Sequence, residues 1–255
     1  MNTLTINHFP PLKYAGAEAV NMLCTNLSFS GENVRKIMLT SCHAGEGKSF
    51  LSMNVMRTMA KLGKRVVMID ADLRKPSVCK MLDLTVGKEN RGHGLADILS
   101  GTSTFEQAIR YVEKHKIFLL ASNGAVADPA ELLSTQQMEK AVRAMRSEFD
   151  FVIIDTAPAG VVTDASILTN YADATFLVIR EDYSSVEKIM RAIDDLSGGK
   201  ADLAGCIYNN VSIGAERAYS RRRYGRRYGY GYGRYGYGYG YGYGYGYGYD
   251  NENKS

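Results

Sequence analysis

Two apolar runs in this chain, VVMI at positions 66–69 and FVII at 151–154, show no alternation with polar residues. A strand with one solvated face alternates. A strand that does not must be covered on both sides, and a parallel sheet with helices on both faces does this. Similar runs predict strands at Lys36–Thr40, Arg65–Ile69, Lys116–Ala121, Phe151–Asp155, Thr175–Ile179 and Ala204–Tyr208. Segments of helical period separate them at Lys48–Leu62, Gln136–Phe149, Thr163–Tyr171 and Ser184–Leu196. Tyr14–Phe29 reads as a further helix after Pro10-Pro11. Such β–α alternation specifies an α/β fold with a mostly parallel central sheet flanked by helices.

The pattern stops near Ala218, which divides the 255 residues into an expected folded domain, 1–217, and a tail, 218–255. The tail reads RRRYGRRYGYGYGRYGYGYGYGYGYGYGYD from position 221. Glycine at every second position carries a large ordering entropy and offers nothing to pack, so disorder is expected there. From Glu216 onward there are eight Lys or Arg against three Asp or Glu, a net of +5 in a chain whose total is +4. The domain is therefore close to neutral, which argues against a basic globular binder of nucleic acid.

Cys24, Cys42, Cys79 and Cys206 form no CxxC pair, and the four histidines show no HxxxH or HExxH spacing. Neither a disulfide framework nor a zinc site is expected. No run approaches the 18 apolar residues of a membrane span, and MNTLTINHFPPLKY lacks the charged-then-apolar order of a secretory signal. The expected location is cytoplasmic, with any membrane contact made through a partner.

Three motifs carry chemistry. The first strand runs into SCHAGEGKS and then a helix, which resembles a Walker A phosphate-binding loop (P-loop). Gly45 and Gly47 let the backbone turn its N–H groups inward as a nest for phosphate, with Glu46 between them and Phe50 on the following turn. Lys48 can reach the β- and γ-phosphates, Ser49 can hold Mg²⁺ through its hydroxyl, and the helix N-terminus adds its dipole. The full pattern has glycine where this chain has Cys42. The second motif, VVMIDADLRKP, places Asp70 and Asp72 at the C-terminal end of a buried strand, where ligands of open α/β sheets bind. The third, FVIIDTAP, ends its strand on Asp155, as a Walker B acid does.

Taken in this order, SCHAGEGKS, MIDADLRKP and FVIIDTAP are similar to the bacterial tyrosine kinases of capsule and exopolysaccharide systems. GLADILSG at Gly94–Gly101, DPAELLST at Asp128–Thr135 and VTDASIL at Val162–Leu168 look like the same family, and the likeness spans about residues 13–213. The resemblance implies a P-loop NTPase fold and an ATP- and Mg²⁺-dependent kinase. It assigns catalytic roles to Lys48, Asp70 and Asp72, with Asp70 as general base. It places Asp72 and Asp155 in the Mg²⁺ shell with Ser49, and Asn209 near the adenine. The alternative is a positioning ATPase of the MinD and ParA kind with the tail as an interaction module. That group carries a lysine five residues before the P-loop lysine, where this chain has His43. The family also carries a glutamate and two arginines on its first helix for subunit contacts. Glu18 is present, but Asn21 and Cys24 fill the arginine positions, so a homo-oligomer would use other contacts.

Thirteen tyrosines lie between Tyr219 and Tyr249. Beside an ATP site they read as phospho-acceptors, above all the uncharged run Tyr235, Tyr237, Tyr239, Tyr241, Tyr243, Tyr245, Tyr247 and Tyr249. The arginines gather at the start of the tail, which speaks against stacking on nucleic acid along its length. A Gly-rich stretch of about 30 residues spans roughly 30 Å r.m.s., enough to enter a neighbouring subunit's site. The resemblance further implies a membrane-bound activator or polysaccharide co-polymerase and a counteracting phosphatase.

Overall fold

The computed structural model describes residues 2–29, 33–85, 93–122, 124–198 and 203–212. The tail lies outside the described residues, and with it every tail tyrosine and the expectation of disorder there. In chain order, β1 (Asn2–Thr3) and β2 (Thr5–Ile6) precede α1 (Tyr14–Phe29). Next come β3 (Lys36–Ser41), α2 (Lys48–Lys61), β4 (Val66–Asp70), α3 (Val78–Met81), β5 (Leu84–Thr85), α4 (Leu95–Leu99) and α5 (Phe105–Ala108). They are followed by β6 (Arg110–Val112), β7 (Ile117–Leu120), α6 (Pro129–Leu133), α7 (Gln136–Glu148) and β8 (Phe151–Asp155). The order closes with α8 (Asp164–Leu168), β9 (Ala174–Arg180), α9 (Val186–Ser197) and β10 (Leu203–Asn209).

The main sheet runs β1-β6-β7-β4-β8-β3-β9-β10. From β7 to β10 every neighbouring pair is parallel. The six expected strands all form within a residue or so of their expected ends. The additions are short: β6 lies antiparallel to β7, the chain reversing between them through a 3-10 turn and Lys116 at φ 54°. β2 and β5 form a separate antiparallel pair. The expected helix Thr163–Tyr171 ends as α8 and finishes in a 3-10 turn, Thr169–Tyr171.

β4 and β8 are buried at every position, as their unbroken apolar runs require. Two cores result, one on each face. Residues of α4, α7, α8 and α9 pack against Val67, Ile69, Val152 and Ile154. On the other face α1 and α2 pack against Ile37, Leu39, Met68 and Ile153. Helix α2 is wedged between the sheet and α1, so eleven of its fourteen residues are buried.

Cys24 on α1 is fully buried against α2, its thiol within 3.8 Å of the Val55 carbonyl, and burial pushes the thiol pKa up to about 12. One of the two positions at which the resemblance implied an arginine therefore faces the core. The other, Asn21, is exposed and sits 3.5 Å from Glu18 Oε1. Among the described residues no helix is long and apolar enough to cross a membrane.

β3 lies between β8 and β9, and β4 lies just beyond β8. The C-terminal ends of β3, β4 and β8 therefore converge, and each bears one of the three motifs. The loop after β8 closes on the loop after β3. A Cβ on Gly160 would stand 2.6 Å from the Cys42 carbonyl oxygen, a backbone atom that cannot swing aside. Gly160→Ala is expected to cost about 1–3 kcal/mol, the usual range for overpacking. By calorimetry that corresponds to a Tm fall of about 2–4 °C per kcal/mol in a domain of this size.

Candidate active site

After β3 the chain turns through Cys42–Gly47 before α2 begins. Gly45 and Gly47 adopt φ of 87° and 93°, a region open to glycine at little cost. Gly47 has a second constraint, since a Cβ there would lie 2.2 Å from Asn209 Nδ2. Cys42 is buried and is not among the residues with positive φ. The loop does not need glycine at this position, which explains how it tolerates the departure from the Walker A pattern.

Side chains from the ends of β9 and β10 hold the loop from outside. Tyr183 Oη donates to Ala44 O at 2.9 Å, Arg180 Nη1 to Gly45 O at 3.3 Å and Asn209 Nδ2 to Glu46 O at 2.8 Å. The Glu46 carboxylate is buried and turned into the loop. It accepts from the His43 amide at 3.0 Å and the Ser184 hydroxyl at 2.6 Å. Glu46 thus braces the loop through its side chain. Phe50 is half-buried on the first turn of α2, where its carbonyl accepts from Asn54.

Lys48, Ser49, Asp70, Asp72 and Asp155 come together at the mouth of this loop, all buried. Lys48 Nζ lies 3.2 Å from Asp72 Oδ2 and 3.3 Å from Ser49 Oγ. The other oxygen of Asp72 accepts from the Lys75 amide at 3.0 Å. Ser52, one helical turn beyond Lys48, lies 3.1 Å from Asp155 Oδ1. Asp70 and Asp155 are register partners on adjacent parallel strands, which places their carboxylates side by side. Both oxygens of Asp70 and Oδ2 of Asp155 are buried without a hydrogen-bond partner.

Three carboxylates around one ammonium leave the cluster two charges short of neutrality, and a buried charge without a partner is costly. Burial, then the Asp155 and Asp72 charges, push the Asp70 carboxyl up to about 8. The nearby Val78 amide, short of a full hydrogen bond, and the Lys48 charge pull the other way. Burial also raises Asp155, against the pull of Lys48 and the serine hydroxyls. The segment bearing Asp70 and Asp72 is anchored through Arg74. Its guanidinium makes two 2.8 Å bonds to the buried Asp164 carboxylate at the start of α8, the bidentate geometry that gives Arg–carboxylate pairs their strength.

Among the described residues no group of three or more His, Cys, Asp or Glu side chains is arranged to hold a metal. A cation here would need hydroxyl, water or ligand oxygens besides the carboxylates. Sequence reasoning did not find Ser52, Arg74 with Asp164, or the bracing residues Arg180, Tyr183 and Ser184. Only Ser52 left a local signal, lying three and four residues after Ser49 and Lys48 on one helix face.

A nucleotide-dependent phosphoryl transferase is the class this arrangement fits. A family model described as AAA domain matches residues 34–200. Tyrosine-protein kinase YwqD of Bacillus subtilis (strain 168) is 34% identical over 211 residues, covering 81% of this chain and 86% of that protein. Tyrosine-protein kinase CpsD of Streptococcus pneumoniae is 30% identical over 200 residues, covering 78% and 86%. The solved kinase domain of Escherichia coli tyrosine kinase ETK superposes with a TM-score of 0.69 at 25% identity, covering 86% of this chain and 80% of that one. The chain belongs to the bacterial tyrosine kinases of capsule and exopolysaccharide systems. The septum-site protein MinD of Pyrococcus horikoshii, at 20% identity and a TM-score of 0.58, shares the P-loop NTPase fold alone.

The raised Asp70 pKa has a sign that can be tested in metal- and nucleotide-free protein. A carboxyl that binds its proton more tightly when folded stabilises the fold below its unfolded pKa, near 4. It loses that contribution as pH rises towards about 8. In EDTA, Asp70→Asn should therefore raise the Tm by about 2–4 °C or more at pH 8. At pH 4 the gain should vanish.

Proposed function

We propose that this protein-tyrosine kinase uses ATP and Mg²⁺ to phosphorylate the tyrosines of its own tail, Tyr235 to Tyr249 above all, in a neighbouring copy. The observation that carries this reading is the pair formed by Asp70, the last residue of β4, and Asp72, two residues on. Asp70 is a buried carboxylate with no partner, and Asp72 is paired with the P-loop lysine.

The orphaned oxygens of Asp70 and Asp155 fit a site that receives positive charge with its substrate. Ser49, Asp72 and Asp155 are the side chains that would hold Mg²⁺, a hydroxyl and two carboxylates being oxygen donors suited to a hard cation. Bound Mg²⁺ supplies positive charge to the β- and γ-phosphate oxygens. The carbonyls of Ala44, Gly45 and Glu46 are drawn outward by Tyr183, Arg180 and Asn209, which leaves the loop's N–H edge for phosphate. Lys48 neutralises charge that develops during transfer.

Asp70 accepts the phenol proton. A carboxylate raised towards neutral pH by burial is a stronger base than an exposed one, and a tyrosine hydroxyl, with its pKa near 10, arrives protonated. Asn209 serves here as a brace of the loop near the nucleotide. The family resemblance implies work in the cytoplasm beside a membrane-bound activator, opposed by a phosphatase, in control of polysaccharide synthesis or export. Each phosphotyrosine adds about −1.5 to −2, so about three would cancel the tail's positive charge.

Incubation with ATP and Mg²⁺ followed by a phosphotyrosine immunoblot tests the activity. The wild-type tail should become labelled. Lys48→Met should give a blank blot, and Asp70→Asn should slow labelling by about 10²–10⁴-fold, the usual contribution of a general base. Equally blank blots from wild type and Lys48→Met, with an activator present, would overturn the reading.

A further inference from the structure

Tyr183 is not one of the tail tyrosines; it belongs to the turn between β9 and α9. It is 48% exposed, yet its hydroxyl is committed to the phosphate-binding loop, donating to Ala44 O at 2.9 Å. The approach is close, since a Cβ on Gly45 would stand 3.1 Å from this same oxygen. The Arg180 guanidinium lies over the Tyr183 ring, 5.2 Å from its centroid, and donates from Nη1 to Gly45 O. The next residue, Ser184, bonds Glu46. One five-residue stretch, 180–184, thus fixes three successive residues of the loop.

We infer that Tyr183 is a second phospho-acceptor of this kinase, outside the tail, and that its modification is a brake on nucleotide binding. This rests on the tyrosine-kinase reading above. In the step, Tyr183 Oη of one copy attacks the γ-phosphorus of ATP held by another. The new Oη–P bond forms as the bond from the γ-phosphorus to the bridging oxygen breaks, and ADP leaves. The phenolic proton passes to Asp70 of the copy that holds the nucleotide and then to water.

The product differs from tyrosine in two ways that bear on the loop. The ester oxygen has no hydrogen to donate, so the bond to Ala44 is lost. The phosphate carries about −1.5 to −2, and it would lie beside a carbonyl and at the edge of a loop whose task is to hold other phosphates. Like charges there oppose nucleotide entry. Arg180 is the adjacent cation, and pairing with the new phosphate would draw it from Gly45 O. Two of the loop's outer bonds fail together, and the brake is set by the enzyme's own reaction.

The test uses full-length chains. Isotopically heavy Lys48→Met protein is mixed with light wild type, ATP and Mg²⁺, and phosphosites are mapped by mass spectrometry. Phosphate on heavy Tyr183 as well as on heavy tail tyrosines is expected. Phosphate on the tail with Tyr183 bare overturns the proposal and leaves the kinase reading standing. No phosphotyrosine anywhere overturns both.

The brake is read separately, by ADP affinity from calorimetry before and after the reaction, in wild type and Tyr183→Phe. Phosphorylation should weaken ADP binding roughly tenfold in wild type, the scale of one lost hydrogen bond plus a like charge, and leave Tyr183→Phe where it started. An unchanged wild type, or an equal fall in both proteins, overturns the brake.

Discussion

Asp70 and Asp155 stand side by side because their strands are parallel neighbours in register, and both are sealed from water. Much of the site can be understood as an answer to that crowding. Lys48 supplies one opposing charge, through Asp72. Ser52 supplies a hydrogen bond to Asp155. Arg74 is held away on Asp164 and so anchors the segment without filling the cluster. The remaining deficit fits the chemistry of phosphoryl transfer, in which positive charge arrives with the substrate. The cluster is unfavourable by itself and suited to receiving positive charge.

The framework was legible because its causes are local. Unbroken apolar runs announce strands covered on both faces, and β4 and β8 fall where VVMI and FVII stand. α2 was readable as a helix, but not as one buried nearly all round, because the α1 contact that closes it lies about 30 residues away along the chain. β1, β2, β5 and β6 have two or three residues each, too few to show a period. Their pairing is set by tertiary packing.

The candidate site divides in the same way. The acids and the P-loop lysine occur in short motifs and could be named from sequence. Tyr183 could not, because its bond to Ala44 spans 139 positions, and Asn209 was named for the adenine while its bond to Glu46, across 163 positions, left no sign in the sequence. Glu46 shows what a motif leaves out. Its place in GEGKS speaks to its backbone, whereas its carboxylate accepts from His43 and Ser184. Cys24 gives the opposite lesson: a position read as a missing outward contact is an inward one, because α1 turns it against α2.

The described chain ends beside the loop it helps to brace. Asn209 bonds Glu46, its carbonyl accepts from the Glu181 amide, and the Ser212 amide donates to the Glu181 carboxylate at 2.6 Å. A pull on the chain at Ser212 would therefore be carried by Glu181 to the end of β9 and by Asn209 to the backbone of the loop. The contacts that seat the last described residues also shape the turn between β3 and α2, so tension and loop geometry are mechanically joined.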